Sequence, residues 1–155
     1  MVSKLAHVCC LIAAVLSPAA FAAPAQIPVA LARVGADSVR LPVLHATIQR
    51  ADLITTIQGL GSSTAQLEDR ELPALQAKSG ERVHVHVETL TDSIWVTPVA
   101  GHEKEVDERQ TASFVTPDTA GVYNFVVEAF WRLPSAPNTV EGHGRAVWGL
   151  RVIVR

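Results

Sequence analysis

Arg82-Val83-His84-Val85-His86-Val87-Glu88 alternates without a break, with the valines on one side and Arg82, His84, His86 and Glu88 on the other. A period of two marks a β-strand with one buried face, because successive side chains of a strand point to opposite sides. Beyond it the chain repeats short β-prone runs, bounded by Pro, Gly or Asp. Ile94-Trp95-Val96 stops at Pro98, and Phe114-Val115, Val122 to Glu128 and Ala146 to Val154 come after it. Several short strands at this spacing indicate an all-β sandwich or barrel.

The earlier part of the chain reads the same way. Ala23 to Ala36 is apolar and carries Pro24 and Pro28, which suits an extended arm or an edge strand. Leu44 to Gln49 and Leu53 to Gln58 are two β-prone runs separated by Arg50-Ala51-Asp52, and Gly59 to Thr64 is a loop. A short helix fits Ala65 to Leu72, with Pro73 ending it. Gly101 to Arg109 reads as a charged connection. Asp118-Thr119-Ala120-Gly121-Val122-Tyr123 is a tight turn entering a strand, and its Tyr is placed to return a hydroxyl hydrogen bond to the turn, as in Greek-key sandwiches.

Met1 to Ala22 has Lys4, an apolar run from Val8 to Leu16, Pro18 and small residues at Ala20 and Ala22, the pattern of a secretory signal peptide. The apolar run is shorter than the roughly 20 residues that a membrane span needs, and no later segment is a better candidate. The expected location is periplasmic or secreted. Both cysteines, Cys9 and Cys10, fall in the removed segment, so the mature chain has neither disulfide nor thiolate ligand. The net charge of −2 with mixed signs and no basic run makes nucleic acid an unsuitable partner. About 130 residues remain, enough for one domain with its own core. Residues 23–71 form an extended segment and first strands, and 72–155 the core of the same domain.

Leu72 to Val87, in which Pro73 precedes an apolar residue, a Lys78-Ser79-Gly80-Glu81 turn and the valine strand, resembles the opening of a cupredoxin domain. Thr91 to Pro98 is similar to the Ser-aromatic-Trp-Val-Pro strand of the copper-binding subunit of cytochrome oxidase, and Gly121 to Phe125 to the family's turn into its ligand-bearing strand. The resemblance covers about half of the chain. It implies a cupredoxin-like Greek-key β-sandwich, and it also implies ligand positions for a blue-copper centre. Carried over one at a time, these fall on Asp92 for the first imidazole, Val127 for the thiolate, His143 for the second imidazole and Trp148 for the thioether. A type 1 site needs imidazole and soft sulfur together. With both sulfurs gone, the resemblance implies the framework without its electron-transfer chemistry, and no cofactor.

What remains is a rewritten segment, Ala129 to Gly142, that reads as a long loop with Phe130, Trp131, Pro134 and Pro137. Loops at one end of a rigid sandwich commonly carry binding, and Trp is enriched at interaction hot spots. The aromatics could equally cap the core. The expected role is an exported binding or accessory module whose partner is a protein or a small molecule, with Trp95, Trp131, His143 and Trp148 as binding residues. A second expectation is copper handling by His84 and His86, which share a strand face at a spacing that lets both imidazoles reach one Cu(II) or Zn(II) ion, with His143 as a third ligand. The same alternation also describes the solvated outer face of a strand. A third is an immunoglobulin-like structural or adhesion domain. No Gly-x-Ser-x-Gly elbow, His-Glu-x-x-His or phosphate loop is present, and the carboxylates Glu103, Glu105, Asp107 and Glu108 are interleaved with Lys104 and Arg109 as in a solvated loop. Catalytic residues are therefore not assigned.

Overall fold

The protein is described by a computed structural model covering residues 26–50, 53–58, 67, 72–99, 105–107, 111–133 and 141–155. The signal segment, the loop at 59–64 and residues 134–140 lie outside the described residues, as do residues 100–104 and 108–110. Among the described residues eleven strands succeed one another: β1 (Ala30–Val34), β2 (Asp37–Arg40), β3 (Val43–Arg50), β4 (Leu53–Gln58), β5 (Ala74–Ala77), β6 (Arg82–Val87), β7 (Ser93–Pro98), β8 (Glu105–Asp107), β9 (Thr111–Val115), β10 (Gly121–Leu133) and β11 (Gly142–Val154). They form two sheets, one in the order β2-β1-β6-β9 and one in the order β4-β3-β11-β10-β7-β8. All pairings are antiparallel except that of β5, which lies parallel to the second half of β11. The all-β class and two-sheet sandwich expected from the alternation are observed. Among the described residues no helix is long and apolar enough to cross a membrane.

The alternation decides what each sheet buries. Val83, Val85 and Val87 have no exposed surface, and they join Val127, Trp148, Leu150 and Val152 of the other sheet in one core. Each such side chain removed from water contributes about 1.5–3 kcal/mol before the entropy of ordering is set against it. Phe114 and Phe125 meet across the two sheets with ring centroids 4.4 Å apart.

Three local expectations are corrected. The apolar stretch before Ala36 is not an arm or an edge strand: its β1 portion pairs with β2 on one side and β6 on the other, and Ala30 and Ala32 are fully buried. Small side chains there let the second sheet pack close. Ala129 to Leu133 is not loop but the end of β10, since the period-two pattern runs on, with Ala129, Trp131 and Leu133 buried and Phe130 and Arg132 turned outward. Part of the charged connection, Glu105–Asp107, is a short strand pairing with β7. Of the stretch read as a short helix, only Leu67 and Leu72 are described, and both are buried with Leu44 in a second apolar cluster packed against Val126 and Val147.

That second cluster lies on the outer side of the larger sheet, and a bulge makes it possible. Val147 stands opposite His45 but Trp148 opposite Val43, so one extra residue of β3 is inserted. An extra residue reverses the face of the strand positions beyond it. Val43 thereby packs on the main core while Leu44 joins Leu67 and Leu72 over the backbone of Gly149.

The Lys78–Glu81 turn is tied to the sandwich by Thr116. Gly80 takes φ +70°, a left-handed conformation that glycine adopts at least cost, and the Glu81 carboxylate accepts from the Lys78 N–H at 2.8 Å. The buried Thr116 hydroxyl donates to the Lys78 carbonyl (2.6 Å) and accepts from the Glu81 N–H (3.0 Å). Thr116→Val keeps the shape and removes both bonds, so urea unfolding should show a loss of about 1 kcal/mol, a modest cost because the Glu81 N–H still donates to the Lys78 carbonyl at 3.2 Å. A second prediction concerns Gly144, where a Cβ would overlap Cε2 and Cζ2 of the Trp131 indole. Gly144→Ala should cost at least about 2 kcal/mol by overpacking. In a Trp131→Leu background the same change should cost clearly less, giving a coupling of about 1 kcal/mol or more between the two sites.

Candidate functional site

The outer face of β7, β10 and β11 gathers the aromatic and charged side chains that the core does not take. Strand register sets their neighbours: Trp95 stands opposite Glu128, Phe130 opposite both Ser93 and Arg145, and Arg132 opposite His143. Trp95 and Phe130 meet edge to face, with ring centroids 5.3 Å apart at 65°. The Arg145 guanidinium sits 5.6 Å from the centre of the Phe130 ring and forms an ion pair with Glu128. Such edge-to-face and cation–ring contacts are favourable by roughly 0.5–1.5 kcal/mol each, and they hold the rings in a fixed arrangement on the sheet.

The cluster continues to one end of the sandwich. Arg132 lies 3.5 Å from the Asp92 carboxylate, and the Asp92 N–H donates to the Phe130 carbonyl at 2.8 Å. Both side chains of this pair are largely exposed, so the pair itself contributes little to stability. Beside it a groove of about 620 Å³ is lined by Leu90, Thr91, Asp92, Arg132, Leu133 and Glu141, with Leu90 79% exposed. The arrangement offers ring edges, a guanidinium already oriented by a carboxylate, and an adjoining polar groove with an apolar rim. These are means of holding a ligand.

The four residues expected to bind divide evenly. Trp95 is half-buried and His143 exposed, both on this outer face. Trp131 and Trp148 point inward with 3% and 0% exposure. Neither of these indoles presents surface to a partner; they fill the core, and Nε1 of Trp148 has no hydrogen-bond partner there. The side chains that stand on the outer face beside Trp95 are instead Phe130 and Arg145. Their signal was the alternation itself, since once β10 runs to Leu133, Phe130 must share a face with Glu128.

The four positions that the resemblance assigns to copper ligands do not come together at one place. Val127 and Trp148 are paired directly and buried in mid-strand, whereas His143 lies on the outer face and Asp92 in the turn before β7. The histidines proposed for copper handling are also apart: His84 and His86 are exposed on the outer face of the smaller sheet, and His143 on the outer face of the larger one. Among the described residues no group of three or more His, Cys, Asp or Glu side chains is placed to hold a metal ion. The side chains of Glu103, Glu105, Asp107 and Glu108 lie outside the described residues.

Compared with family models, curated proteins and solved structures, the chain matches none of them.

Proposed function

We propose that the chain is an exported, cupredoxin-like Greek-key β-sandwich without a type 1 copper centre, acting in the periplasm or outside the cell as a binding or accessory module. The observation that carries the binding reading is the Trp95–Phe130–Arg145 cluster with His143 beside it, set on a sheet face and continuous with a polar groove. Aromatic and arginine side chains held rigid before binding lose little entropy when a partner arrives, which is why they dominate interaction surfaces. The cupredoxin-like framework is supported by the Lys78–Glu81 turn leading into the valine strand.

A second reading, an immunoglobulin-like structural or adhesion domain, is supported by a contact that both readings share. The Tyr123 hydroxyl donates to the Thr119 carbonyl at 2.9 Å, a tyrosine corner at the start of the strand that such domains use in this way. The layering of β6 and β9 against β7, β10 and β11 suits that arrangement as well. In both readings the molecule works by holding something.

The binding role is tested by comparing partners captured by the immobilised protein and by a Trp95→Ala, Phe130→Ala double variant whose circular dichroism is unchanged. A specific partner held by the first and lost by the second is expected; identical capture by both sinks the assignment to this face. Copper gives an independent check. With no thiolate in the mature chain, Cu(II) titration should produce no intense thiolate-to-copper absorption. Tight stoichiometric copper abolished by His84→Ala, His86→Ala would replace the binding module with copper handling.

A further inference from the structure

The smaller sheet has an outer face of a different character, and it lies on the opposite side of the sandwich from the aromatic cluster. Register puts Arg40, Leu31, His86 and Thr111 in one row across it, and Ser38, Arg33, His84 and Ser113 in the next, with Arg82 beyond. The strands thus contribute three guanidiniums, two imidazoles and three hydroxyls to this face and no carboxylate. Asp37, the first residue of β2, falls on the inward parity, and Glu88 flanks the face just past the end of β6. In a chain whose net charge is −2, this is a concentration of positive charge.

Two of the three guanidiniums are held by neutral oxygens. Arg33 Nε donates to the Gly35 carbonyl at 2.7 Å, and Arg82 Nη1 to the Ser113 hydroxyl at 3.0 Å. Both ion pairs found among the described residues, Arg132–Asp92 and Arg145–Glu128, belong to the other sheet. Among the described residues, therefore, the positive charge on the smaller sheet has no ion-pair partner. Between the rows lies a groove of about 670 Å³ lined by Leu31, Arg33, Ser38, His84, His86 and Thr111, within the range of small-molecule sites.

We infer that this groove binds a small, multiply charged oxyanion, a phosphate or carboxylate compound seated over His84 and His86 and clasped by Arg33. Guanidinium forks match two oxygens of such groups at once, and the imidazole N–H and the Ser38 and Thr111 hydroxyls supply further donors to the same side. A divalent cation is the wrong charge for this surface: two imidazoles attract it, but the guanidiniums repel it.

Pyrophosphate and citrate, titrated separately into the full chain at low salt, test the site by calorimetry and by amide NMR shifts. Saturable binding is expected, with shifts concentrated at Leu31–Ser38, His84–His86 and Thr111. Preference for pyrophosphate identifies phosphate as the natural chemistry, and preference for citrate identifies carboxylate. Arg33→Gln combined with His84→Gln and His86→Gln should weaken binding by about tenfold or more, whereas Arg155→Gln, an exposed position just past β11 in neither site, should leave it unchanged. Three results overturn the inference: no saturable binding of either anion, equal weakening by Arg155→Gln, or shifts scattered over both faces. Because the NMR shifts are read on the unaltered protein, the outcome does not depend on the variants folding.

Discussion

Thirteen consecutive residues of β10 stand opposite thirteen of β11, and both sheet partners and both surfaces of the larger sheet are laid out from that pair. β7 attaches to the free edge of β10, while the free edge of β11 is divided between β3 and β5. The pairing works only because glycine occupies position 144, where the indole of Trp131 lies against the neighbouring backbone. Since a one-residue slip would exchange the faces of every side chain, the register that buries Trp131, Val127 and Trp148 is the same one that sends Phe130, Arg145 and His143 outward. The core and the candidate site are two consequences of one alignment.

The two outer faces divide the chemistry between them. On the larger sheet, Arg132 and Arg145 are paired with carboxylates and Arg145 also packs on the Phe130 ring, so the surface there is shaped by ion pairs and aromatic contacts. On the smaller sheet arginine and histidine stand among hydroxyls. Burial explains why neither face is apolar throughout. The smaller sheet already buries the valine side of β6, and alternation leaves its remaining positions to water.

Much of the fold was legible because it rests on local alternation. Val83, Val85 and Val87 identify β6 by themselves, and the Asp118–Tyr123 turn announces the hydrogen bond that Tyr123 makes. The site was less legible, and Trp131 shows why. Its neighbours Phe130 and Arg132 and the nearby Pro134 give the stretch a loop-like composition, so the parity that buries Trp131 and exposes Phe130 was hidden until β11 was known to pair with it. β1 was obscured for a related reason, because alanine is a weak strand former and Ala30 and Ala32 are chosen for the close approach of the opposite sheet. The inserted residue at Leu44 is invisible in the sequence, since a bulge is defined by the partner strand and not by the chain that carries it.

The divided edge of β11 also says something about time. Its two neighbours on that side, β3 and β5, both precede it by a long stretch of chain, one pairing antiparallel and the other parallel. A chain emerging in order therefore presents β3, β4 and β5 well before the strand that unites them exists. Loop-closure entropy must be overcome across those separations before pairing is rewarded, which slows folding and leaves strand edges exposed meanwhile. Leu53–Gln58, free of charge and with Ile54 59% exposed, is the part of that intermediate best suited to pair with another molecule. The architecture that fixes both surfaces thus favours conditions in which the chain is kept dilute or escorted until β11 arrives.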